Sequence, residues 1–125
     1  MLSCVYVDLE GVLGSEPDAL AERALEACRR AEVLVVPVSR QDLDAVEPVL
    51  RELGLTDCVY ADGFVIDGEE HPGGLAAHAR ARALTADECL TVSAFERDEV
   101  GPAWVTTAGG AGLYEAVVTT LMERR

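Results

Sequence analysis

Short apolar runs alternate with helix-like patterns along the whole chain, and this alternation constrains the fold more than any other feature. Strands are predicted at 4–8, 33–38, 58–61, 89–93 and 103–107. Helical spacing of apolar residues predicts helices at 17–31, 41–53, 74–84 and 112–124. The strand segments are continuously apolar, which is typical of parallel strands covered on both faces. The sequence therefore predicts an α/β fold, a three-layer αβα arrangement around a five-stranded, mostly parallel sheet.

Residues 62–73, with the sequence D-G-F-V-I-D-G-E-E-H-P-G, interrupt this alternation. A short apolar trio stands between two Asp-Gly pairs, which are strong turn signals. We expect a small β-hairpin, or flap, that projects from the sheet. No internal repeat or linker divides the chain, so residues 1–125 are expected to form one domain.

The net charge of −13 argues against nucleic acid or an anionic membrane as a partner, because both are bound by clustered positive charge. No apolar run approaches the roughly 20 residues of a membrane span, and the first residues lack the basic start of a signal peptide. A cytoplasmic location is therefore expected. The four cysteines are widely spaced and fall in apolar patterns, which favours buried free thiols over zinc ligands or disulfides.

The first predicted strand ends in two carboxylates and a glycine, in the sequence V-Y-V-D-L-E-G-V-L. Residues i and i+2 of a strand share a face, and a sharp turn at Gly11 would aim Asp8 and Glu10 at one point. There they would hold a cation or divide the work of nucleophile and proton carrier. The alternative is that Asp8 only begins a turn after a core strand.

In open parallel sheets, ligands bind beyond the carboxyl ends of the strands. Polar residues occupy all five predicted strand ends, namely Asp8 with Glu10, Ser39 with Arg40, Asp62 with Gly63, Ser93 with Asp98 further on, and Thr106 with Thr107. Carboxylates, hydroxyls and an arginine at one edge suit a magnesium-assisted phosphoryl site. The same residue types are also common in any loop that follows a strand.

The order of these segments resembles the haloacid-dehalogenase (HAD) superfamily of phosphohydrolases. Its first motif, an apolar strand followed by D-x-D-G, is matched by Asp8-Leu9-Glu10-Gly11, and Ser39 stands where its second motif ends a strand in Ser or Thr. The run V-S-A-F-E-R-D, which ends at Asp98, is similar to its fourth motif. The tail T-T-A-G-G-A-G-L-Y-E is most similar to the capless sugar-phosphate phosphatases of the 3-deoxy-manno-octulosonate 8-phosphate type.

The resemblance implies a Rossmann-like HAD sheet in the order 5-4-1-2-3, with no large cap domain. It implies a magnesium-dependent phosphatase for a phosphorylated small molecule, in which Asp8 forms an aspartyl-phosphate and Glu10 is the general acid and base. Ser39 would bind the phosphate, and Asp98 would support Mg²⁺ together with Asp8 and Glu10. Arg40, which follows Ser39 at the end of the second predicted strand, is a further candidate for the phosphate from its position alone. Since capless relatives close their sites with a neighbouring subunit, a homo-oligomer is also implied.

The chain departs from the HAD pattern at three points. Position 10 is Glu where the family's phosphatases have Asp, and Ser93-Ala94 stand in place of the Gly-Asp pair that supplies a metal ligand. The chain contains no lysine, so the lysine of the third motif is absent. Arg80 or Arg82 on the Ala-rich helix would be its replacement, with a planar guanidinium fork instead of a compact ammonium. The alternative is that both arginines lie on a solvated helix face. The missing metal carboxylate would be replaced by Glu96 or Glu99.

Two alternatives to a divergent phosphatase remain from the sequence. One is a catalytically weak or inactive HAD-like module that binds a ligand or assembles with a protein. The other is a receiver-type signalling domain, which has a similar length and alternation but needs adjacent acids after the first strand and a lysine after the fifth. Strand order separates the two folds, because a receiver sheet has the order 2-1-3-4-5, with strands 1 and 3 adjacent.

Overall fold

The computed structural model describes residues 1–14, 18–66, 74–96 and 100–123. The strands are β1 (Cys4–Asp8), β2 (Leu34–Ser39), β3 (Val65–Ile66), β4 (Cys89–Ser93) and β5 (Ala103–Val105). The helices are α1 (Ala19–Arg30), α2 (Leu43–Glu52), α3 (Thr56–Asp62), α4 (Gly74–Ala81) and α5 (Gly110–Glu123). An irregular turn at Leu9–Leu13 follows β1, and a short 3₁₀ turn at Ala86–Glu88 precedes β4.

The five strands form one sheet in the order β3-β2-β1-β4-β5, and every neighbouring pair is parallel. This is the predicted order 5-4-1-2-3, so the expected α/β fold is confirmed. It excludes the receiver alternative, because β1 lies between β2 and β4 and does not touch β3. None of the described residues builds a separate cap domain.

The third strand was predicted at the wrong place. Residues 58–61 lie in α3, where the Val59 N–H donates to the Leu55 carbonyl at 3.0 Å. A four-residue apolar run cannot be assigned to strand or helix from periodicity alone, and here the helix forms. The strand is instead Val65–Ile66, which was predicted to lie in the flap and pairs with Val38 and Ser39 of β2. Residues 67–73 of the predicted flap lie outside the described residues.

Aspartates set the starts of the first two helices. The Asp18 side chain accepts hydrogen bonds from the backbone of Leu20 and Ala21, at 2.8 and 3.3 Å, so α1 begins two residues later than predicted. Asp42 caps α2 by accepting from the Ala45 N–H at 2.9 Å. Such caps satisfy the N–H groups that the first turn of a helix leaves without partners.

The sheet buries an apolar layer on each of its faces. Val5 and Val7 of β1 point into the larger layer, which also receives α1, α2 and α5. Cys4 and Tyr6 point to the opposite face, where α4 covers them with Leu75 and Ala79. Alternate residues of one strand thus enter two cores, which explains why its sequence is continuously apolar. No helix in the described part of the chain has the length and apolar character of a membrane span.

Two consecutive hydrogen bonds through the His78 ring link β1 to α4 and α3. The Tyr6 hydroxyl lies 2.9 Å from Nδ1 of His78, and His78 Nε2 lies 2.8 Å from the Asp62 carbonyl oxygen. Because a carbonyl oxygen only accepts, Nε2 carries the ring proton, and Nδ1 accepts the Tyr6 hydroxyl proton. The Tyr6 side chain is fully buried, so this bond satisfies a group that water does not reach.

The Cys4 thiol lies beside Tyr6 and is poorly reactive. Burial raises the pKa of Cys4 to about 12, and the neighbouring Cys89 thiol adds to the effect. Burial also raises the pKa of Tyr6 above its usual value. Both groups therefore keep their protons at neutral pH. All four cysteines are free, and three are buried while Cys58 is half-buried, so the expectation of free thiols in apolar surroundings is confirmed.

We expect Tyr6→Phe to lower the free energy of unfolding by about 1–3 kcal/mol, because it leaves His78 Nδ1 without its buried partner. Urea denaturation followed by circular dichroism measures the change. Tyr60→Phe is the matched control, since Tyr60 is 79% exposed and should change stability by less than about 0.5 kcal/mol. Equal unfolding midpoints for the two variants would contradict a stabilising role for the Tyr6 hydroxyl.

Candidate active site

Three neighbouring strands end in polar residues at one edge of the sheet. Asp8 ends β1, Ser39 ends β2 and Ser93 ends β4. Asp8 pairs with Val38, directly before Ser39, and Val7 pairs with Val92, directly before Ser93. Parallel pairing therefore places one hydroxyl on each side of the end of β1. The predicted gathering of strand-end residues is present for these three strands.

The turn after β1 gives Glu10 its position. Glu10 has an extended backbone, with φ −77° and ψ 120°, and Gly11 follows with φ +96°. That conformation favours glycine, and a Cβ at Gly11 would also lie only 3.1 Å from the Ala94 Cβ. The turn is anchored by three buried side chains, Leu9, Val12 and Leu13. Glu10 itself is exposed, so the turn presents it to the solvent side of the cleft.

Asp8 is almost completely buried, with 4% of its surface exposed. The Ser93 hydroxyl donates to Asp8 Oδ2 at 2.5 Å. Ser93 is fully buried and in turn accepts the Phe95 backbone N–H at 3.2 Å. With its acceptor side occupied, the serine directs its single proton at the carboxylate. The Asp8 side chain is therefore held in one orientation at the base of the cleft.

Glu10 is held in a similar way by the other neighbour of β1. The Ser39 hydroxyl donates to Glu10 Oε1 at 2.5 Å, and the Arg40 backbone N–H donates to the same oxygen at 3.3 Å. Ser39 also accepts the Gln41 backbone N–H at 3.0 Å. The glutamate thus reaches across from the turn to the end of β2. The extra methylene of Glu relative to Asp provides this reach.

These residues open onto a cleft of about 330 Å³. Its lining residues are Asp8, Glu10, Gly11, Val38, Ser39, Arg40 and Phe95. Arg40 supplies a cation, and its guanidinium carbon lies 5.4 Å from the centre of the Phe95 ring. The cleft therefore combines two carboxylates, one guanidinium and an aromatic face. These groups suit a phosphate ester, whose charge needs a cation and whose reaction needs a nucleophile and a proton carrier.

Two parts of the site were not identified from sequence. Ser93 was recognised as a strand end and as a departure from the HAD pattern, but its bond to Asp8 was not predicted. Phe95 was not predicted as a site residue. Ser93 ends the buried strand β4 and Phe95 follows it closely, and this position was the only indication in the sequence.

Arg80 of α4 and Arg82, which follows that helix, do not line the cleft. α4 begins at Gly74, beside the Ile66 carbonyl at the end of β3, and Arg80 lies about 9 Å further along the helix axis and is exposed. The Arg82 charge acts on the Cys4 thiol, at the start of β1, about 13 Å along the strand from Asp8. Neither arginine lines the cleft, so the sequence-based replacement of the missing lysine stays a prediction.

The metal ligands can be compared with the structure only in part. Asp98 and Glu99 lie outside the described residues, and Glu96 is exposed and does not line the cleft. In the described ranges, no three His, Cys, Asp or Glu side chains are grouped to hold a metal ion. Asp8 and Glu10 provide two carboxylates, and the Ala94 methyl lies against Gly11. Magnesium commonly uses one or two protein carboxylates together with water and substrate phosphate, so the chemistry of this lining is compatible with such an ion.

Comparison with known proteins identified relatives in structure only. No family model matches the chain, and no curated protein matches it. One similar structure is that of 3-deoxy-D-manno-octulosonate 8-phosphate phosphatase from Moraxella catarrhalis, in complex with magnesium, phosphate and KDO. It has a TM-score of 0.63 and 13% sequence identity, covering 97% of this chain and 86% of that one.

Two further structures show the same likeness. The cobalt-bound phosphatase for deoxy-D-mannose-octulosonate 8-phosphate from Haemophilus influenzae has a TM-score of 0.59 at 14% identity, covering 97% of this chain and 88% of that one. A Legionella pneumophila protein assigned to subfamily III A of the HAD superfamily has a TM-score of 0.62 at 15% identity, covering 98% and 82%. These neighbours confirm the resemblance on which the sequence prediction was based. At such low identity they establish the architecture, and the chain therefore has the α/β fold of the HAD superfamily.

Proposed function

We propose that this chain is a HAD-like phosphohydrolase that cleaves a phosphate monoester of a small molecule through an aspartyl-phosphate at Asp8. The observation that carries the proposal is the pairing of two unlike carboxylates in one cleft. Asp8 is buried and fixed by Ser93, whereas Glu10 is exposed and fixed by Ser39. Two carboxylates held in one cleft can divide the roles of nucleophile, for Asp8, and proton carrier, for Glu10.

In the first step, a carboxylate oxygen of Asp8 attacks the phosphorus atom and the bond from phosphorus to the leaving oxygen breaks. Glu10, in its protonated form, gives its proton to that oxygen, so the alcohol leaves neutral. The phosphoryl group is then bound covalently to Asp8. The hydrogen bond from Ser93 keeps the carboxylate in the orientation that the attack requires.

In the second step, Glu10 takes a proton from water as the water oxygen attacks the phosphorus of the aspartyl-phosphate. The bond from phosphorus to Asp8 breaks, inorganic phosphate leaves, and Glu10 is again protonated. Because Glu10 is exposed, water reaches it from the open side of the cleft. One residue thus serves as acid and then as base.

Arg40 is the cation that we assign to the phosphate. The Ser39 hydroxyl donates its only proton to Glu10, so its role in this arrangement is to position Glu10. The guanidinium of Arg40 lies at the same cleft and offers several donors in a planar fork. Charge-assisted bonds of this kind are the usual means of holding phosphate oxygens.

Asp8 would hold a magnesium ion, with Asp98 as a further ligand predicted from the sequence. Glu10, the other predicted ligand, would bind the ion only when it does not carry the catalytic proton. When bound, the ion would offset the repulsion between the phosphate and the attacking carboxylate. The structural neighbours support this assignment, since one was crystallised with magnesium, phosphate and a sugar, and another with cobalt. The same neighbours support a phosphorylated small molecule as the substrate class.

A non-hydrolytic HAD-like binding module is the competing hypothesis. It is favoured by Ala94 in place of a metal carboxylate and by the absence of lysine from the chain. Both hypotheses use the same cleft, and they differ in whether an ester is turned over.

Asp8→Asn should abolish phosphate release across a panel of phosphate monoesters, because an amide does not act as the nucleophile. Release is measured colorimetrically, and the phosphorylated intermediate is sought by acid quenching and mass spectrometry. Asp57→Asn, an identical change at an exposed position of α3, is the matched control and should retain activity. Turnover that survives Asp8→Asn would exclude the nucleophile assignment, and absence of turnover in the wild type would favour the binding module.

Replacement of Glu10 should reveal how closely its length fits the site. Glu10→Gln removes the proton carrier and should lower kcat by about 10²- to 10⁴-fold. Glu10→Asp keeps the acid but withdraws it from Ser39, and a displacement of this size costs on the order of a hundredfold. Steady-state kinetics on the best ester of the panel measure both effects. Full activity in Glu10→Asp would show that the contact with Ser39 has no catalytic value.

Removal of divalent cations should lower turnover, and added magnesium should restore it. The measurement is phosphate release in chelator followed by a magnesium titration, with calorimetry to detect binding of the ion directly. Wild-type protein and Asp8→Asn are compared, since loss of one carboxylate should weaken binding of the ion. Turnover that is unaffected by chelator would contradict the assignment of magnesium to this cleft.

A further inference from the structure

Phe95 is one of the few large apolar side chains that the described residues leave exposed, with 41% of its surface accessible. It lines the cleft, and its backbone N–H donates to Ser93, the residue that fixes Asp8. The position of Phe95 is therefore tied to that of the nucleophile. Val38 adds a second apolar group to the same lining.

The contact between Phe95 and Arg40 crosses the mouth of the cleft. Phe95 follows β4 and Arg40 follows β2, while β1, which ends in Asp8, lies between these strands. The guanidinium carbon lies 5.4 Å from the ring centre, within the range of a cation–π contact. Both residues line the cleft that Asp8 also lines, so a ligand in that cleft meets a cation and an aromatic ring together.

We propose that Phe95 forms the leaving-group subsite and that the preferred substrate is a phosphate monoester of an uncharged aromatic alcohol. The inference rests on the proposed function, because it assigns the part of the ester that departs from Asp8. A flat ring stacks on the Phe95 face, as aromatic pairs do at offset or edge-on geometries. Arg40 contacts the phosphate from the opposite side of the mouth.

The charge of the cleft accounts for the choice of an uncharged leaving group. Asp8 and Glu10 already bring two carboxylates to the site, and the chain as a whole carries a net charge of −13. A second anionic group on the substrate would be repelled at short range by the ionised Asp8 carboxylate. An aromatic ring without charge gains the contact with Phe95 and avoids that repulsion.

Binding of non-hydrolysable phosphonates tests the subsite without reference to turnover. Isothermal calorimetry, with magnesium present, compares phenylphosphonate with methylphosphonate, which share the anionic head and differ in the ring. Wild-type protein should bind the phenyl compound about fivefold or more tightly than the methyl compound. 4-Carboxyphenylphosphonate should lose that advantage because of its added charge.

Variants of Phe95 and a matched control locate the effect. Phe95→Ala should reduce the preference for the phenyl compound to about twofold or less, and Phe95→Tyr should keep it because the ring remains. Tyr60→Ala removes an aromatic side chain that is exposed on α3, away from the cleft lining, and should leave the preference unchanged. Since Phe95 is exposed, Phe95→Ala is expected to fold, and circular dichroism checks this.

Failure of this inference and failure of the proposed function give different results. If the phenyl preference is lost in Phe95→Ala but no ester is hydrolysed, Phe95 binds the aromatic group of a ligand and the proposed phosphatase is overturned. If esters are hydrolysed in an Asp8-dependent way but the preference is absent, or survives Phe95→Ala, the phosphatase stands and the subsite is overturned. Failure of wild-type protein to bind either phosphonate would also overturn the subsite.

Discussion

The cleft depends on the parallel hydrogen bonding of β1 to both β2 and β4. Those two ladders set which residues of the neighbours stand beside the end of β1, and they place a serine on each side of it. A shift of one residue in either ladder would turn the serine to the opposite face of the sheet. The register is fixed by the core, because Val5 and Val7 enter one apolar layer and Cys4 and Tyr6 the other. Packing on both faces of the sheet therefore determines the geometry at its edge.

The two serines perform equivalent tasks on carboxylates in different surroundings. Each accepts the backbone N–H of the residue two positions later and donates its proton to one carboxylate oxygen. The pair at Asp8 is shielded from water, whereas the pair at Glu10 lies at the exposed side. Each hydrogen bond favours the one side-chain rotamer that makes it. The serines thus orient both carboxylates before any ligand arrives.

The sequence predicts most of this arrangement because strand ends are visible as points where apolar runs stop. Asp8 and Ser39 were assigned in this way, and both lie where expected. The third strand was missed because Val65–Ile66 is only two residues long, while the apolar run at 58–61 belongs to a helix. Side-chain contacts between strands could not be predicted in this way, because a hydrogen bond such as that from Ser93 to Asp8 depends on both strand register and side-chain rotamer. Those quantities are settled by packing across the sheet, which no local pattern records.

The same reasoning explains why Glu10 fits here, although the HAD pattern has Asp. Judged from the turn alone, the longer side chain would misplace a carboxylate by about an ångström, at a cost on the order of a hundredfold in rate. In the folded chain, however, the partner of this carboxylate is Ser39 on β2, whose hydroxyl donates to Glu10 Oε1 at 2.5 Å. The relevant distance is from the turn to the neighbouring strand, and glutamate spans it. The position of Glu10 is therefore decided by its partner on the next strand, so Glu10 and Ser39 form one structural unit.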